Sequence, residues 1–260
     1  MKGVRRVGWA PPEADTPEVV NEASSQASPG TSRNDRRKAR TQAAILEAAE
    51  RVIREQGFER ALIEDIAESA DVGIGSIYHH FGSKEGLLLA LIERAIEVNQ
   101  RYLEEGFQVE GSPIQRLGAT QGAYLRFCVE QPFYFDLIIL EYEKRVATYA
   151  PDAVSRISAI AQAVLTRVTD LIVEAQTARE IRPVNPEHAA RFLWAALNGL
   201  LASGRRSDEL HLDPDQLKAV LNTGMDIVLE GIATKQGLKH LETAPLPDAG
   251  GKSTTPNRRH

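Results

Sequence analysis

Apolar residues recur at three- and four-residue spacing along almost the whole of this chain. No window of four to eight residues alternates apolar with polar positions and is rich in β-branched side chains. That pattern specifies packed helices, so the expected fold class is all-α. Proline then marks where helices begin. In Ser112-Pro113, Asn185-Pro186 and Asp213-Pro214, a side-chain oxygen able to accept an orphan N–H stands before a residue with no N–H to leave unpaired. Gln131-Pro132 and Ala150-Pro151 mark further boundaries, because proline disfavours helical geometry in the residue before it. The spacing predicts nine helices, near 38–55, 63–69, 74–80, 84–106, 113–130, 133–147, 152–178, 187–204 and 214–234. There is no internal repeat at solenoid periods.

Composition narrows the chemistry. The 260 residues, 42% hydrophobic, can bury a sizeable core, and the formal charge of −5 means that any grip on nucleic acid is local to one part of the chain. The single cysteine, Cys128, excludes an internal disulfide and a cysteine-based zinc cluster. Lys2, Arg5 and Arg6 are followed by Pro11, Pro12, Glu13, Asp15, Pro17 and Glu18, where an export signal needs an unbroken apolar run. The longest apolar stretch, Phe192 to Ala202, is interrupted by Asn198 and too short to cross a bilayer. The expectation is a cytoplasmic protein without membrane contact.

Residues 1–34 and 236–260 are rich in Pro, Ser, Gly and charge, and are expected to be disordered tails. Between them, the helix at 152–178 carries one broad apolar stripe and packs on a single core. The helix at 187–204 is apolar nearly all round and must be covered all round. With the helix at 214–234 it is expected to form a homodimer interface through Trp194, Leu197, Leu201, Leu221, Met225 and Leu229. Two central helices of a monomer would show the same pattern.

The most informative segment runs from Ile63 to Phe81, preceded by Gln56-Gly57-Phe58 and followed by Gly82-Ser83-Lys84-Glu85. Ile63, Ile66 and Ala67 make a short amphipathic helix, a turn follows from Ala70, and Ile77 with Phe81 anchors a second short helix. That second helix is too small to be a core element alone. It suits a helix that projects Ser76, Tyr78, His79 and His80 into a DNA major groove.

From about Arg40 to Leu87 the chain resembles the DNA-binding domain of the TetR family of bacterial transcriptional regulators. The resemblance is carried by Gln56-Gly57-Phe58, Asp65-Ile66-Ala67, Ala70, Val72, Gly75-Ser76-Ile77-Tyr78-His79-His80-Phe81 and Ser83-Lys84-Glu85. It implies a three-helix helix-turn-helix domain at 35–82, then a helical effector-binding and dimerisation bundle at 83–235. It further implies a dimeric one-component regulator, most simply a repressor, that binds a palindromic operator in double-stranded DNA and is released by a small-molecule effector. By the same resemblance Ser76, Tyr78 and Lys84 contact phosphates, and Gly75, His79 and His80 lie near base edges or the backbone. The chain departs from the family pattern at Ala61 and Leu62, where a capping Thr and a second hydroxyl are usual, at Gly73 and Ile74, and at Asp71, which replaces the turn glycine. Residues 33–85 hold nine basic and ten acidic side chains, and the recognition helix has no Lys or Arg. Attraction to DNA must therefore come mostly from the cluster containing Arg36, Arg37 and Arg40, expected just before the first helix.

No enzyme pattern competes. His79 and His80 are adjacent and diverge on a helix rather than pairing at i, i+4, and Gly73-Ile74-Gly75 lacks the strand, later glycine and lysine of a phosphate loop. No metal site, cofactor or catalytic residue is expected. The alternative is a helical protein-interaction module without DNA affinity, for which Tyr78, two histidines and Lys84 within seven residues would have no use. Tyr102, Tyr124, Phe127, Phe133 and Tyr142 are candidate effector contacts, although an aromatic at helical spacing can equally be plain core.

Overall fold

The computed structural model describes residues 33–243. The expected tail at 1–34 lies outside the described residues except for its last two positions, which are helical. Among the described residues the elements are α1 (Arg33–Gln56), α2 (Ile63–Ser69), α3 (Ile74–Phe81), α4 (Lys84–Phe107), α5 (Pro113–Glu130), α6 (Pro132–Asp136), α7 (Tyr142–Arg145), α8 (Pro151–Thr177), α9 (Pro186–Ser203), α10 (Pro214–Ile232) and α11 (Lys235–Thr243). The only extended pairing among them is an isolated antiparallel bridge between Ile181 and Ala233. No helix among them is long and apolar enough to cross a membrane.

Compactness divides the chain into two units that interleave along the sequence. Among the described residues, one holds 33–100 and 131–158; the other holds 101–130 and 159–243. The first therefore takes in, beyond the helix-turn-helix, most of α4 and the whole segment from α6 to the first turns of α8.

In the first unit, α1 buries Ile45, Ala48, Ala49, Val52 and Ile53, the stripe of a helix packed on one side. It ends at Gly57, whose φ of +78° suits a residue without Cβ, and whose N–H reaches Ile53 O at 2.8 Å. α2 buries Ile63, Ile66 and Ala67 and begins at Leu62 with no side-chain cap. α3 is held by Ile77, fully buried, and ends at Gly82. Leu87, Leu88, Leu91, Ile92 and Ala95 of α4, all at or near zero exposure, supply the rest of this core. The helix expected at 133–147 forms as a continuous run, α6 passing through a π-helical turn at Leu137–Glu141 into α7 and closing in a 3₁₀ turn at Val146–Thr148.

In the second unit, Ile114, Ile172, Ala175, Ile181 and Ala190 form one core cluster, and Leu103, Phe107 and Leu171 another. Gly106 lets α4 and α5 touch: a Cβ there would lie 2.5 Å from Thr120 Cα. Of the three expected caps, Asn185 accepts from His188 N–H, and Asp213 forms a full capping box with Gln216. Ser112 does not cap; its Oγ is buried with no hydrogen-bond partner among the described residues. The orphan N–H of Ile114 instead donates to Glu180 Oε2 at 2.8 Å, a carboxylate brought from beyond the end of α8 and almost fully buried. His240 Nδ1 meets the other Glu180 oxygen at 2.8 Å. That contact, with Leu241 packed on the first cluster, explains why 235–243 is helical rather than part of a disordered tail as expected. Residues 244–260 lie outside the described residues.

Candidate nucleic-acid interface

The helix-turn-helix is shaped by its turn. Asp71 adopts φ +52°, the left-handed conformation for which glycine would be the easiest residue, and Val72 N–H returns to Ala67 O at 3.0 Å. Arg51 of α1 closes the end of α2 by donating to Ser69 O and Ser69 Oγ, each at 3.1 Å. α3 then lies with Ile77 inward while Gly75, Tyr78 and His79 are exposed and Ser76 and His80 half-buried. With Ile77 as its one fully buried residue, this eight-residue helix presents most of its circumference.

The basic cluster departs from expectation in one respect. Arg33, Arg36, Arg37, Lys38 and Arg40 are exposed, but they lie on the first two turns of α1 rather than in an extended arm before it. Their guanidinium groups are thus carried at helical spacing, with Arg33, Arg37 and Arg40 sharing one face. Lys38 bears directly on α3. Burial first, and then electrostatic interaction with His79 and Lys38, hold the His80 imidazole below its ordinary value. The shift favours the neutral imidazole, which offers a hydrogen-bonding edge. Its Nδ1 makes no hydrogen bond among the described residues.

Ser83 caps α4, accepting from Gly86 N–H at 3.0 Å. Lys84 is consequently the first residue of that helix, at the terminus where the backbone dipole favours anions. Its ammonium donates to Glu59 O at 3.2 Å and lies 4.6 Å from the centre of the Phe58 ring.

These residues coincide with a known sequence pattern. A family model described as bacterial regulatory proteins, tetR family, matches residues 45–91, and one described as tetracyclin repressor-like, C-terminal domain, matches 117–227. The chain belongs to the TetR family. It is 36% identical over 90 residues to the A-factor receptor protein of Streptomyces griseus, a match covering 34% of this chain and only 30% of that protein. It is 28% identical over 174 residues to the transcriptional repressor AcnR of Corynebacterium glutamicum, covering 64% of this chain and 84% of the relative. Among solved structures, AibR in complex with isovaleryl coenzyme A and operator DNA superposes with a TM-score of 0.54 at 24% identity, over 71% of this chain and 97% of AibR.

Elsewhere in this TetR-family chain, the five aromatic candidates for effector contact divide. Tyr102, Tyr124 and Phe127 come together in one unit, with ring centres 5.8 Å and 6.2 Å apart around the fully buried Phe127. Tyr124 O–H donates to Asn198 Oδ1 at 2.5 Å, and burial, with Cys128 beside it, pushes the Tyr124 hydroxyl well above its ordinary pKa. Phe133 and Tyr142 belong to the other unit and have partners of their own there. Arg54 lies 4.4 Å over the Phe133 ring, and Tyr142 stacks on Tyr149 at 6.0 Å.

The expected interface residues divide as well. Trp194 is half-exposed, and Met225 and Leu229 are partly covered. Leu197, Leu201 and Leu221 are buried within the chain itself, so they pack its own core and have little surface left for a partner. The outward apolar side chains of α9 and α10 are Phe192, Trp194, Val220 and Ile227, the last 66% exposed. Ala219, Val220, Thr223, Gly224 and Ile227 line a shallow apolar groove along α10. Val220, Thr223 and Ile227, at i, i+3 and i+7, share this face of α10, which the dimer expectation did not name. Among the described residues no group of three or more His, Cys, Asp or Glu is placed to hold a metal.

Proposed function

We propose that the protein is a one-component transcriptional regulator that acts as a homodimer. It binds a palindromic DNA operator through α3 and the start of α1, and a small-molecule effector lowers that affinity. The observation that carries the reading is α3 itself, held by a single buried residue and offering Gly75, Ser76, Tyr78, His79 and His80 on its other faces. Tyr78 and Lys84 would bind phosphates, fixing register, and His79 would meet a base edge. The exposed basic residues Arg36, Arg37 and Arg40 supply attraction that α3, lacking Lys and Arg, does not.

Dimerisation is supported by Phe192, Trp194, Val220 and Ile227, an apolar surface that includes two aromatic or aliphatic side chains nearly two-thirds exposed. The small residues Ala219, Thr223 and Gly224 between them allow a second helix to approach closely. The effector is proposed to be a small, largely apolar molecule bound among the helices of the second unit, with Tyr102, Tyr124 and Phe127 as its aromatic contacts. That a ligand binds at all is supported by AibR, a protein of similar fold held in one structure with isovaleryl coenzyme A and operator DNA. The test is DNA binding by the purified protein with Tyr78→Phe, His79→Ala and Lys84→Ala alongside. Loss of affinity for every sequence in the first and third, with loss of preference at one base position in the second, is the expected outcome. A folded dimer with no affinity for DNA would leave the chain as a protein-interaction module.

A further inference from the structure

Phe58, 8% exposed, has two cations over its ring, one from each of the first unit's two sequence segments. The Lys84 ammonium is 4.6 Å and the Arg145 guanidinium 4.5 Å from its ring centre. The two cations are tied very differently. Arg145, with its side chain only 14% exposed, pairs with the carboxylates of both Glu141 and Glu59. Lys84 has one neutral partner in this group, the Glu59 backbone carbonyl at 3.2 Å. Glu59 thus serves both cations, one through its side chain and the other through its main chain. Its carboxylate, 81% exposed and on the residue whose carbonyl already holds Lys84, is an acidic group well placed to pair with the Lys84 ammonium.

We propose that Arg145 is a positioning residue for DNA binding: by occupying the Glu59 carboxylate and packing on Phe58, it keeps the Lys84 ammonium unpaired with any acid and available to a phosphate. The inference rests on the reading of Lys84 as a phosphate contact. Without Arg145 the Glu59 carboxylate would turn to the nearest cation, and the Lys84 charge would be neutralised before DNA arrives. A lysine already paired to a carboxylate releases fewer counterions on binding, so both affinity and its salt dependence fall. Glu141 also accepts from Lys144 at 2.7 Å, so its carboxylate is shared between two cations, and Glu85 carries a further negative charge near Tyr149 beside Arg145.

The experiment measures the affinity of the full chain for a random-sequence DNA duplex across a salt series, since a phosphate contact is independent of sequence. Arg145→Met retains an apolar stem over Phe58 while removing the charge. It should weaken binding and lower the salt slope to about the extent that Lys84→Ala does. Adding Glu59→Gln to Arg145→Met should restore both, because the competing carboxylate is gone, and Arg145→Lys should bind nearly as the wild type. In a Lys84→Ala background, Arg145→Met should change nothing further. If Arg145→Met weakens binding without rescue by Glu59→Gln, or adds to Lys84→Ala, Arg145 is merely structural and the proposal is overturned. If Lys84→Ala itself leaves affinity and slope unchanged, the phosphate contact fails, and the proposal with it.

Discussion

Replacing Ile227 separates the two faces of α10. Fully burying an isoleucine side chain contributes about 1.5–3 kcal/mol. With Ile227 66% exposed in the single chain, covering it by a partner contributes about 1–2 kcal/mol per copy and about 2–4 kcal/mol for the two copies of a twofold interface. Ile227→Ala should therefore raise the dimer dissociation constant roughly thirty-fold to several-hundred-fold, at about 1.4 kcal/mol per factor of ten. Ile227→Glu should do more, since two carboxylates would be desolvated opposite each other. Sedimentation velocity over a concentration series reads the change. Neither substitution should lower the thermal stability of the resulting monomer, because the side chain has little to leave behind. Leu197→Ala is the contrast: buried to 8% exposure, it should cost about 2–5 kcal/mol of folding stability in the same monomeric background. The reasoning is refuted if Ile227→Glu leaves the oligomer intact, or if Leu197→Ala dissociates it with unchanged folding stability.

Lys84→Ala should reduce the slope of log affinity against log salt by about 0.9 per protomer, so a dimer would lose roughly twelve-fold less affinity than the wild type between about 50 and 200 mM salt, measurable by fluorescence anisotropy. His79→Ala should relax preference at one base position at a cost of roughly 1–3 kcal/mol there, seen by comparing single-base operator variants. Asp71→Val should destabilise the helix-turn-helix by about 1–2 kcal/mol, because a β-branched residue is forced to φ +52°, whereas Asp71→Gly should be tolerated in urea unfolding. Tyr134 donates to Glu50 at 2.6 Å, and burial, followed by the Glu50 carboxylate, pushes its hydroxyl to about 12. The folded state thus holds this proton more tightly than the unfolded chain, so its contribution is complete below pH 10 and is lost as pH rises towards about 12. Tyr134→Phe should flatten the alkaline decline in stability over that range.

Much of the fold is legible in the sequence because helices carry their own punctuation. The bounds of α2, α5 and α9 fall within a residue of expectation, and Asn185 and Asp213 cap as their proline neighbours suggest. Asp71 is legible too, as a residue that tolerates left-handed geometry where glycine is usual. What escapes is decided by distant residues. Ser112 looks like a cap, yet the N–H it would serve goes to Glu180, 66 residues on. The same carboxylate, by holding His240, orders α11 in a stretch whose composition reads as a tail. α9 is apolar nearly all round, so periodicity alone cannot tell which of Trp194 and Leu197 faces the chain's own core. The π turn inside 133–147 has no sequence signal either; it lies between side-chain ties on both sides. Tyr134 and Phe133 meet Glu50 and Arg54 of α1, and Arg145 meets Phe58 and Glu59. Arg145 had no sequence signal of its own, since its role depends on a partner 86 residues earlier in the chain.

Selecting duplexes from a random pool with the purified full-length protein puts the DNA-reading role of α3 to the most direct test. The expected product is a palindromic site with half-sites about one helical turn apart or slightly more, the spacing at which a twofold dimer can set both copies of α3 in major grooves on one side of the duplex. Repeating the selection with His79→Ala should return the same spacing with one position relaxed in each half-site. A folded wild-type protein that enriches no sequence, or enriches the same site when Tyr78, His79 and Lys84 are all replaced, would contradict the assignment of α3 as the reading helix.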